Sequence, residues 1–532
     1  MKSKQRKALL TIAGIWVLSA ALLLFATNAF AQSKSSPGNI YSQLQLFSEV
    51  LQKLKQNYVT DLSDEELIKA AINGMLDTTD PHTSYFTPEA FKDFTTDTQG
   101  HFGGLGIQID KIGDYITVVS PMEGTPAFRM GITAGDKIIK VDGESVVGVT
   151  TDESIKKMRG DVGTTVVITI SRPGITEPID FTIVRENIKV KSIPYAFLLD
   201  NGVGYIRIST FNQNTVSELR AALNQLEKED MRGLIMDLRF NPGGLLDQAV
   251  DTVNEFIGQN KLVVETKGRT RQDAIYTRYK TKERDYPIIV LVNEASASAS
   301  EIFAGSLQDW DKGLVMGKNT FGKGSVQQLI PLSNGNGMKI TTSYYYIKSG
   351  RCIHKMSNDK LLTGKEVSKD DLAREDEDNH NNIYYTANGR EVFGGGGIAP
   401  DIEVDSDLLT LFGVELRRKN VFFNYAVDYL VDHDRNITQD PQITSSMMND
   451  FLSYVKKQDI SYTPADLDSA RAFINSSLKS ELVRKVHGDQ AAYKISISQD
   501  KQLQEASALF DRFRTLEEMF IYADSIKQKN KK

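Results

Sequence analysis

A single cysteine, Cys352, stands in 532 residues. One thiol cannot make an internal disulfide, so the fold must rest on its apolar cores, which a chain of this length can supply. No C-x-x-C or H-x-x-x-H spacing exists, which argues against a structural zinc site. Cys352 lies in YYYIKSGRCIH, a strand-like context with no base arrangement around it, and reads as structural. Histidine is scarce as well: His82, His101, His354, His380, His433 and His487, none of them between 187 and 350. Nothing therefore points to a Ser-His-Asp triad, and His82, in DPHTSYF, reads as a loop-ordering residue. A strong charge of either sign is also missing. The formal net charge of -6 argues against a nucleic-acid binder, which carries a basic face.

What is present is the 40% hydrophobic, 25% charged composition of a globular chain, long enough for roughly three to four domains. The N-terminus departs from it. Lys2, Lys4, Arg6 and Lys7 precede ALLTIAGIWVLSAALLLFATNAFA, which ends in Ala29-Phe30-Ala31. A positive flank, an apolar stretch and an A-x-A end predict a secretory signal peptide over residues 1–31. The rival is an uncleaved membrane anchor over residues 8–27. Either predicts an exported protein, periplasmic or in the cell envelope, touching the membrane only through this segment.

Residues 40–95 have helical spacing, with a serine cap and an acidic first turn in SDEELIKAAINGML. Residues 96–186 are short β-branched runs bounded by Gly, Pro and Asp, a compact β-rich module with short helices at GTPAFRMGI and TDESIKKMRG. From 187 to about 350 strands alternate with helices: VGYIRIST, TVSELRAALNQLEKED, GLIMDLRF, LLDQAVDTVNEFIGQ, YPIIVLV, SEIFAGSLQDWD, GLVMGK. That alternation predicts an α/β layer with a largely parallel, buried sheet. Residues 351–393, with AREDEDNHNN, read as an exposed excursion, and FGGGGIAPDIEV as the return that closes a core of 187–405. Residues 406–532 read as a mostly helical extension.

Four motifs carry candidate chemistry. NEASASASE places Ser296, Ser298 and Ser300 between a buried strand and a helix, where helix N–H groups can hold a developing oxyanion. Caps or small packing residues are the plain alternative for all three. A serine nucleophile needs a base, and a lysine can serve if burial favours its neutral amine. Lys323, in NTFGKGSVQQ, is flanked by glycines; a solvated turn is its plain alternative. LRFNPGG presents Gly243 and Gly244 at the same sheet edge, as an oxyanion loop or an ordinary strand-to-helix turn. GLGIQID leaves successive N–H groups at Leu105, Gly106 and Ile107, suited to a peptide carboxylate with the peptide added as a strand, or to a simple hairpin.

Together these motifs, in this order, resemble the C-terminal processing peptidases, or tail-specific proteases, over residues 40–405. SPMEGTPAFRMGITAGDKIIKVDG and GGGIAPDIEV are similar to that family too. The resemblance implies a ClpP/crotonase-like protease core, a PDZ domain over 96–186, no cofactor or metal, and protein substrates with free C-termini. It also implies roles. The family's nucleophile lies 25 residues before its general-base lysine, and a glutamine follows the lysine by four; those positions here are Ser298, Lys323 and Gln327. Some members use an aspartate 11 residues after the serine, here Asp309, in what reads as an exposed helix end. Ala299 with Gly243 or Gly244 would hold the oxyanion. Leu105, Gly106 and Ile107 would bind the substrate tail, or the PDZ domain would gate the site when empty. Ser296 and Ser300 default to structure, Ser300 as a helix cap. For residues 406–532 an oligomer contact, an adaptor site and a cover for the active site all stand open. Two other classes compete: a non-catalytic PDZ-bearing binding protein on a protease-like scaffold, and a crotonase-like acyl-CoA enzyme. Neither explains Ser298, Lys323 and Gln327 together.

Overall fold

The computed structural model describes residues 40–122, 124–355, 382–394, 396–405, 409–433 and 436–530. The segment expected to be a signal peptide or anchor, His380 and the middle of the charged excursion lie outside these residues. Among the described residues no helix is long and apolar enough to cross a membrane.

The chain divides after Thr78 into two compact units. The first contains α1 (Ile40–Asn57) and α2 (Asp64–Leu76). The expected cap is there: the Ser63 hydroxyl accepts the Glu66 N–H, and Asp64, Glu65 and Glu66 fill the first turn, where the helix dipole favours acids. The helical region expected to reach 95 ends earlier. Ser84–Phe86 is a strand paired antiparallel with Gly337–Ile347, and α3 (Pro88–Gln99) follows it in the second unit. Three residues are too few to display a strand period.

The β-rich module consists of β1 (Ile107–Ile112), β2 (Tyr115–Pro121), β3 (Lys137–Val141), β4 (Thr165–Ser171) and β5 (Ile179–Val184), with α4 (Thr151–Met158) capped reciprocally by Thr150 and Glu153. The sheet runs β1-β2-β3-β4-β5, antiparallel throughout, which leaves β1 at an edge. Alternation along β4 buries Val166, Ile168 and Ile170 completely. This is the period-two signature read from TTVVITISR.

The core follows. Its elements are β6 (Tyr195–Leu198), β7 (Gly204–Arg207), α5 (Thr215–Lys228), β8 (Leu234–Asp237), α6 (Leu246–Ile257), β9 (Leu262–Gly268), β10 (Gln272–Tyr276), β11 (Ile288–Val292), α7 (Ala299–Asp309), β12 (Leu314–Gly317), β13 (Ser325–Pro331), β14 (Gly337–Ile347) and β15 (Ile402–Glu403). One sheet is ordered β6-β7-β8-β11-β12-β15 and is parallel from β7 onward. The predicted parallel sheet is thus present, and both its faces are covered. Leu234, Met236, Ile288 and Val290 face a cluster with α5, α6 and α7. Ile235, Ile289 and Leu291 face the opposite one. The second, antiparallel sheet joins β9, β10, β13 and β14. Its β9–β10 hairpin is absent from the sequence reading, although KLVVETKG has strand character.

The second face of the parallel sheet is closed from the far end of the chain. Residues 406–532 divide into two parts. Helices α8 (Leu411–Arg418), α9 (Val421–Asp432), α10 (Ser445–Lys457) and α11 (Pro464–His487) enclose their own core of Phe412, Leu416, Phe422, Phe451 and Ile474. Beyond α12 (Asp489–Ile497), α13 (Lys501–Arg512) and α14 (Leu516–Asn530) lay Leu503, Leu509, Phe510, Met519 and Phe520 against β8, β11 and β12. The last two helices are therefore an outer layer of the α/β core, each buried large side chain contributing roughly 1.5–3 kcal/mol. The β-rich module leans on the helical part: a Cβ on Gly135 would stand 2.9 Å from Val427, and the Ser120 hydroxyl reaches Asp489 at 3.3 Å.

Candidate active site

At the carboxyl end of β11 the chain turns sharply into α7. The structure separates the three serines of that turn. Ser296 is fully buried, and its hydroxyl donates to the Leu238 carbonyl at 2.8 Å. Ser300 is fully buried too, and donates to the Asn241 carbonyl at 3.0 Å. Both lock the turn to the loop after β8. Ser298 keeps partial exposure and has φ 56 and ψ -112, a conformation a side-chain-bearing residue holds only when its surroundings impose it. Ser298 is also the residue that precedes the helix, so Ser300 is not the cap; the helix begins before it. Further along, α7 needs its small residues for packing: a Cβ on Gly305 would come within 2.7 Å of Ile347 and Ile398.

The loop carrying Lys323 approaches from the other side. Gly322 and Gly324 admit it, since Cβ atoms there would strike Lys355 at 2.6 Å and the His354 backbone at 2.7 Å. Lys323 is half-buried. Two buried side chains bind this loop to the serine turn. Glu301 accepts the N–H of Ser298 (2.7 Å), Gly322 (2.7 Å) and Lys323 (2.9 Å), and the hydroxyl of Thr320 (2.6 Å). Burial pushes its carboxyl up to about 7, against the pull of those four donors. The Tyr345 hydroxyl donates to the carbonyl of Ser298 at 3.1 Å and to that of Lys323. Burial, with the Glu301 charge, raises the Tyr345 phenol far above its usual value and keeps it a donor.

Sequence reasoning passed over both. Glu301 had a signal, the S-x-x-E spacing from Ser298 that places an acid beneath a helix start. Tyr345 had none, being one of three consecutive tyrosines in a strand.

Gln327 lies on β13 just after a register shift between Val326 and Gln327. Its amide donates to the hydroxyls of Ser325 (2.9 Å) and Thr341 (3.3 Å), and Thr341 donates to Asp80 at 3.0 Å. Asp80 gathers the DPHT turn: it accepts the N–H of His82 and Thr83 and the Thr83 hydroxyl. Burial raises the Asp80 carboxyl, but these donors and Thr341 outweigh it and hold the group below its usual range.

The NPGG loop closes the site. A Cβ on Gly243 would lie 2.8 Å from both Ser298 Cβ and Ala299 N, and one on Gly244 would lie 2.0 Å from the Phe211 carbonyl oxygen. The Gly243 N–H is taken by Asn241 Oδ1 at 2.9 Å. Gly244 bridges Phe211 in parallel fashion, which turns its own N–H to the opposite side.

Three segments match family models: residues 202–359 peptidase family S41, residues 103–183 the PDZ domain, and residues 412–466 the C-terminal helical domain of probable PDZ-proteases. The carboxy-terminal-processing protease of Bartonella bacilliformis is 41% identical over 356 residues, covering 65% of this chain and 80% of the relative. The chain belongs to the carboxy-terminal-processing protease family. It is a serine-type protease of the S41 class, which sets aside the binding-scaffold and acyl-CoA readings. The carboxy-terminal processing protease CtpA of Bacillus subtilis is 34% identical over 64% of this chain and 73% of its own length. Among solved structures, the photosystem II D1 C-terminal processing protease is 25% identical with a TM-score of 0.37, covering 67% of this chain and 86% of that one.

One expected site residue of this protease stands elsewhere. Asp309 ends α7, 11 residues and therefore about 16 Å of helix from Ser298. It is fully buried and pairs at 2.9 Å with Arg351, itself fully buried, while accepting the Ser349 N–H at 2.8 Å. The structure does not bring it to Ser298 and Lys323, and the helix end expected to be exposed is interior. The same pair corrects the start of the excursion: Arg351, Ile353 and His354 are core residues, drawn in by Asp309 and by packing beneath Gly324.

In the PDZ domain, Leu105 is buried and Gly106 has φ 73, with no room for a Cβ against Thr125. The Leu105 carbonyl accepts the Ala127 N–H, and the Gly106 carbonyl accepts that of Met122. Ile107 opens the edge strand β1.

Proposed function

We propose that this protease is exported and cleaves proteins at or near their free C-terminal tails through an acyl-enzyme on Ser298. The observation that carries the reading is the shared anchorage of Ser298 and Lys323 on Glu301, with Ser298 the one serine of its turn left accessible. Lys323 Nζ takes the proton of Ser298 Oγ, and Oγ attacks the scissile carbonyl. The N–H groups of Ala299 and Gly244 hold the oxyanion; Gly244 is preferred to Gly243 because the Gly243 N–H already serves Asn241. Collapse transfers the lysine proton to the departing amine, and water releases the acyl group. Gln327, its amide N–H groups engaged by Ser325 and Thr341, offers its oxygen to orient Lys323.

The PDZ domain binds the substrate tail. Its edge strand β1 accepts the peptide as a further strand, and the N–H groups of the Leu105-Gly106-Ile107 turn receive the terminal carboxylate. Residues 1–31 direct export.

The test is cleavage of a reduced, alkylated protein by wild type, Lys323→Ala and Lys323→Arg, together with matched peptides ending in a free acid or an amide. Both lysine variants should lose nearly all activity, since guanidinium stays protonated, and the amide should be the poorer substrate. Wild-type rates in either lysine variant would overturn the base assignment. Equal rates for acid and amide would overturn tail recognition.

A further inference from the structure

A cavity of about 1100 Å³ lies between the protease core and the C-terminal helical domain. Its lining includes Phe240 and Asn293. Phe240 is three residues from Gly243, is held by a 2.8 Å bond from its N–H to Asn293 Oδ1, and has φ 60 with 68% of its surface exposed. A large apolar ring kept in a strained conformation and in contact with water implies something for the ring to meet. The cavity lining also includes Arg484. Its partner Asp489 accepts the hydroxyl of Ser120, one residue before Pro121, which pairs with Ile107 of the tail-binding strand. The cavity thus borders the segment that leads into the oxyanion loop and, through Arg484 and Asp489, is linked to Ser120 of the PDZ domain.

Four arginines line it, and three have their charge matched. Arg207 and Arg239 share buried Asp237, Arg239 also reaches Asp500, and Arg484 holds Glu481 and Asp489. Arg417 differs. Its guanidinium lies over the Phe473 ring at 5.0 Å, and among the described residues no carboxylate pairs with it. An arginine placed over an aromatic ring can still offer N–H groups to a carboxylate.

We propose that this cavity holds an extended stretch of the substrate chain between the PDZ-bound tail and the scissile bond, and that Arg417 selects an acidic side chain there. The inference rests on the protease reading above and adds a specificity-determining residue to it.

The experiment uses fluorescence-quenched peptides of one apolar sequence, each with a free C-terminus, carrying a single Asp or a single Lys at successive positions. Wild type, Arg417→Lys, Arg417→Gln, Arg417→Glu and Ser298→Ala are compared on the full chain. At one or two adjacent positions wild type should prefer Asp over Lys by about tenfold in kcat/KM, about 1.4 kcal/mol of discrimination. Arg417→Lys should keep the preference, Arg417→Gln erase it and Arg417→Glu invert it. A merely structural arginine would lower both peptides equally; that result, or an unchanged preference in Arg417→Glu and Arg417→Gln, would overturn the proposal. Cleavage by Ser298→Ala would instead overturn the nucleophile, leaving the charge preference still readable from the products.

Discussion

Ser298 and Lys323 share one acceptor atom: their main-chain N–H groups both donate to Glu301 Oε2, at 2.7 and 2.9 Å. The two proposed reacting groups are therefore registered through their backbones by one buried carboxylate. Oε1 of the same carboxylate takes the Thr320 hydroxyl and the Gly322 N–H. Glutamine at 301 offers one acceptor oxygen where four donors converge, and turns an NH₂ toward N–H groups. Glu301→Gln should lower kcat by at least tenfold and destabilise the fold by about 1–3 kcal/mol, the cost of buried donors left unpaired. Steady-state kinetics beside urea unfolding measure both; an unaltered kcat would remove Glu301 from the site's architecture.

The same carboxyl gives stability a pH dependence. Burial raises it from 4.5 to about 7 in the folded chain, so the folded state binds this proton more tightly than the unfolded state. Its contribution is fully present below about 4.5 and is lost as pH rises through about 7, a span of about 3 kcal/mol. Wild type measured against Glu301→Gln, which cannot titrate there, should lose its relative advantage between about pH 5 and pH 8. A parallel pair of stability curves across that window would show that Glu301 is already ionised at the acid end.

Gly243→Ala tests how closely the oxyanion loop and the serine turn are packed. The added methyl would lie 2.7 Å from the Ala297 carbonyl oxygen and 2.8 Å from Ala299 N, at φ 100. One element must move, and kcat should fall by about 10²-fold or more, the loss typical of a displaced oxyanion donor. Unchanged turnover would mean that the loop does not form the oxyanion site.

Asp309→Ala separates a structural from a catalytic aspartate. It leaves Arg351 buried and unpaired, at a cost of about 3–5 kcal/mol. Thermal unfolding should shift strongly downward, and the double variant Asp309→Leu with Arg351→Met should recover much of the stability together with activity. A stable, inactive double variant would return Asp309 to the catalytic group.

Much of this arrangement was legible in the sequence, for physical reasons. Strict alternation wrote the PDZ strands, as in TTVVITISR. Continuous apolar runs such as YPIIVLV wrote a sheet buried on both faces. The motif glycines marked places where backbone meets backbone, as Gly244 meets Phe211. What stayed hidden depends on contacts distant in sequence. Helical pattern states that Leu503, Leu509 and Phe510 share a face, not that β8 and β11 lie beneath it. Asp309 looked like a solvated helix end because its partner, Arg351, is 42 residues away. The family resemblance proposed Ser298 among three similar serines; the bonds from Ser296 to Leu238 and from Ser300 to Asn241 give a structural reason for the difference.

The central claim is that Ser298 alone of the three serines is the nucleophile. Its most direct measurement is the rate of proteolysis of a reduced, alkylated protein by folded Ser296→Ala, Ser298→Ala and Ser300→Ala, normalised to the fraction folded. The account predicts that Ser298→Ala is inactive while the other two retain measurable turnover. Cleavage by Ser298→Ala at a rate comparable to wild type would contradict it.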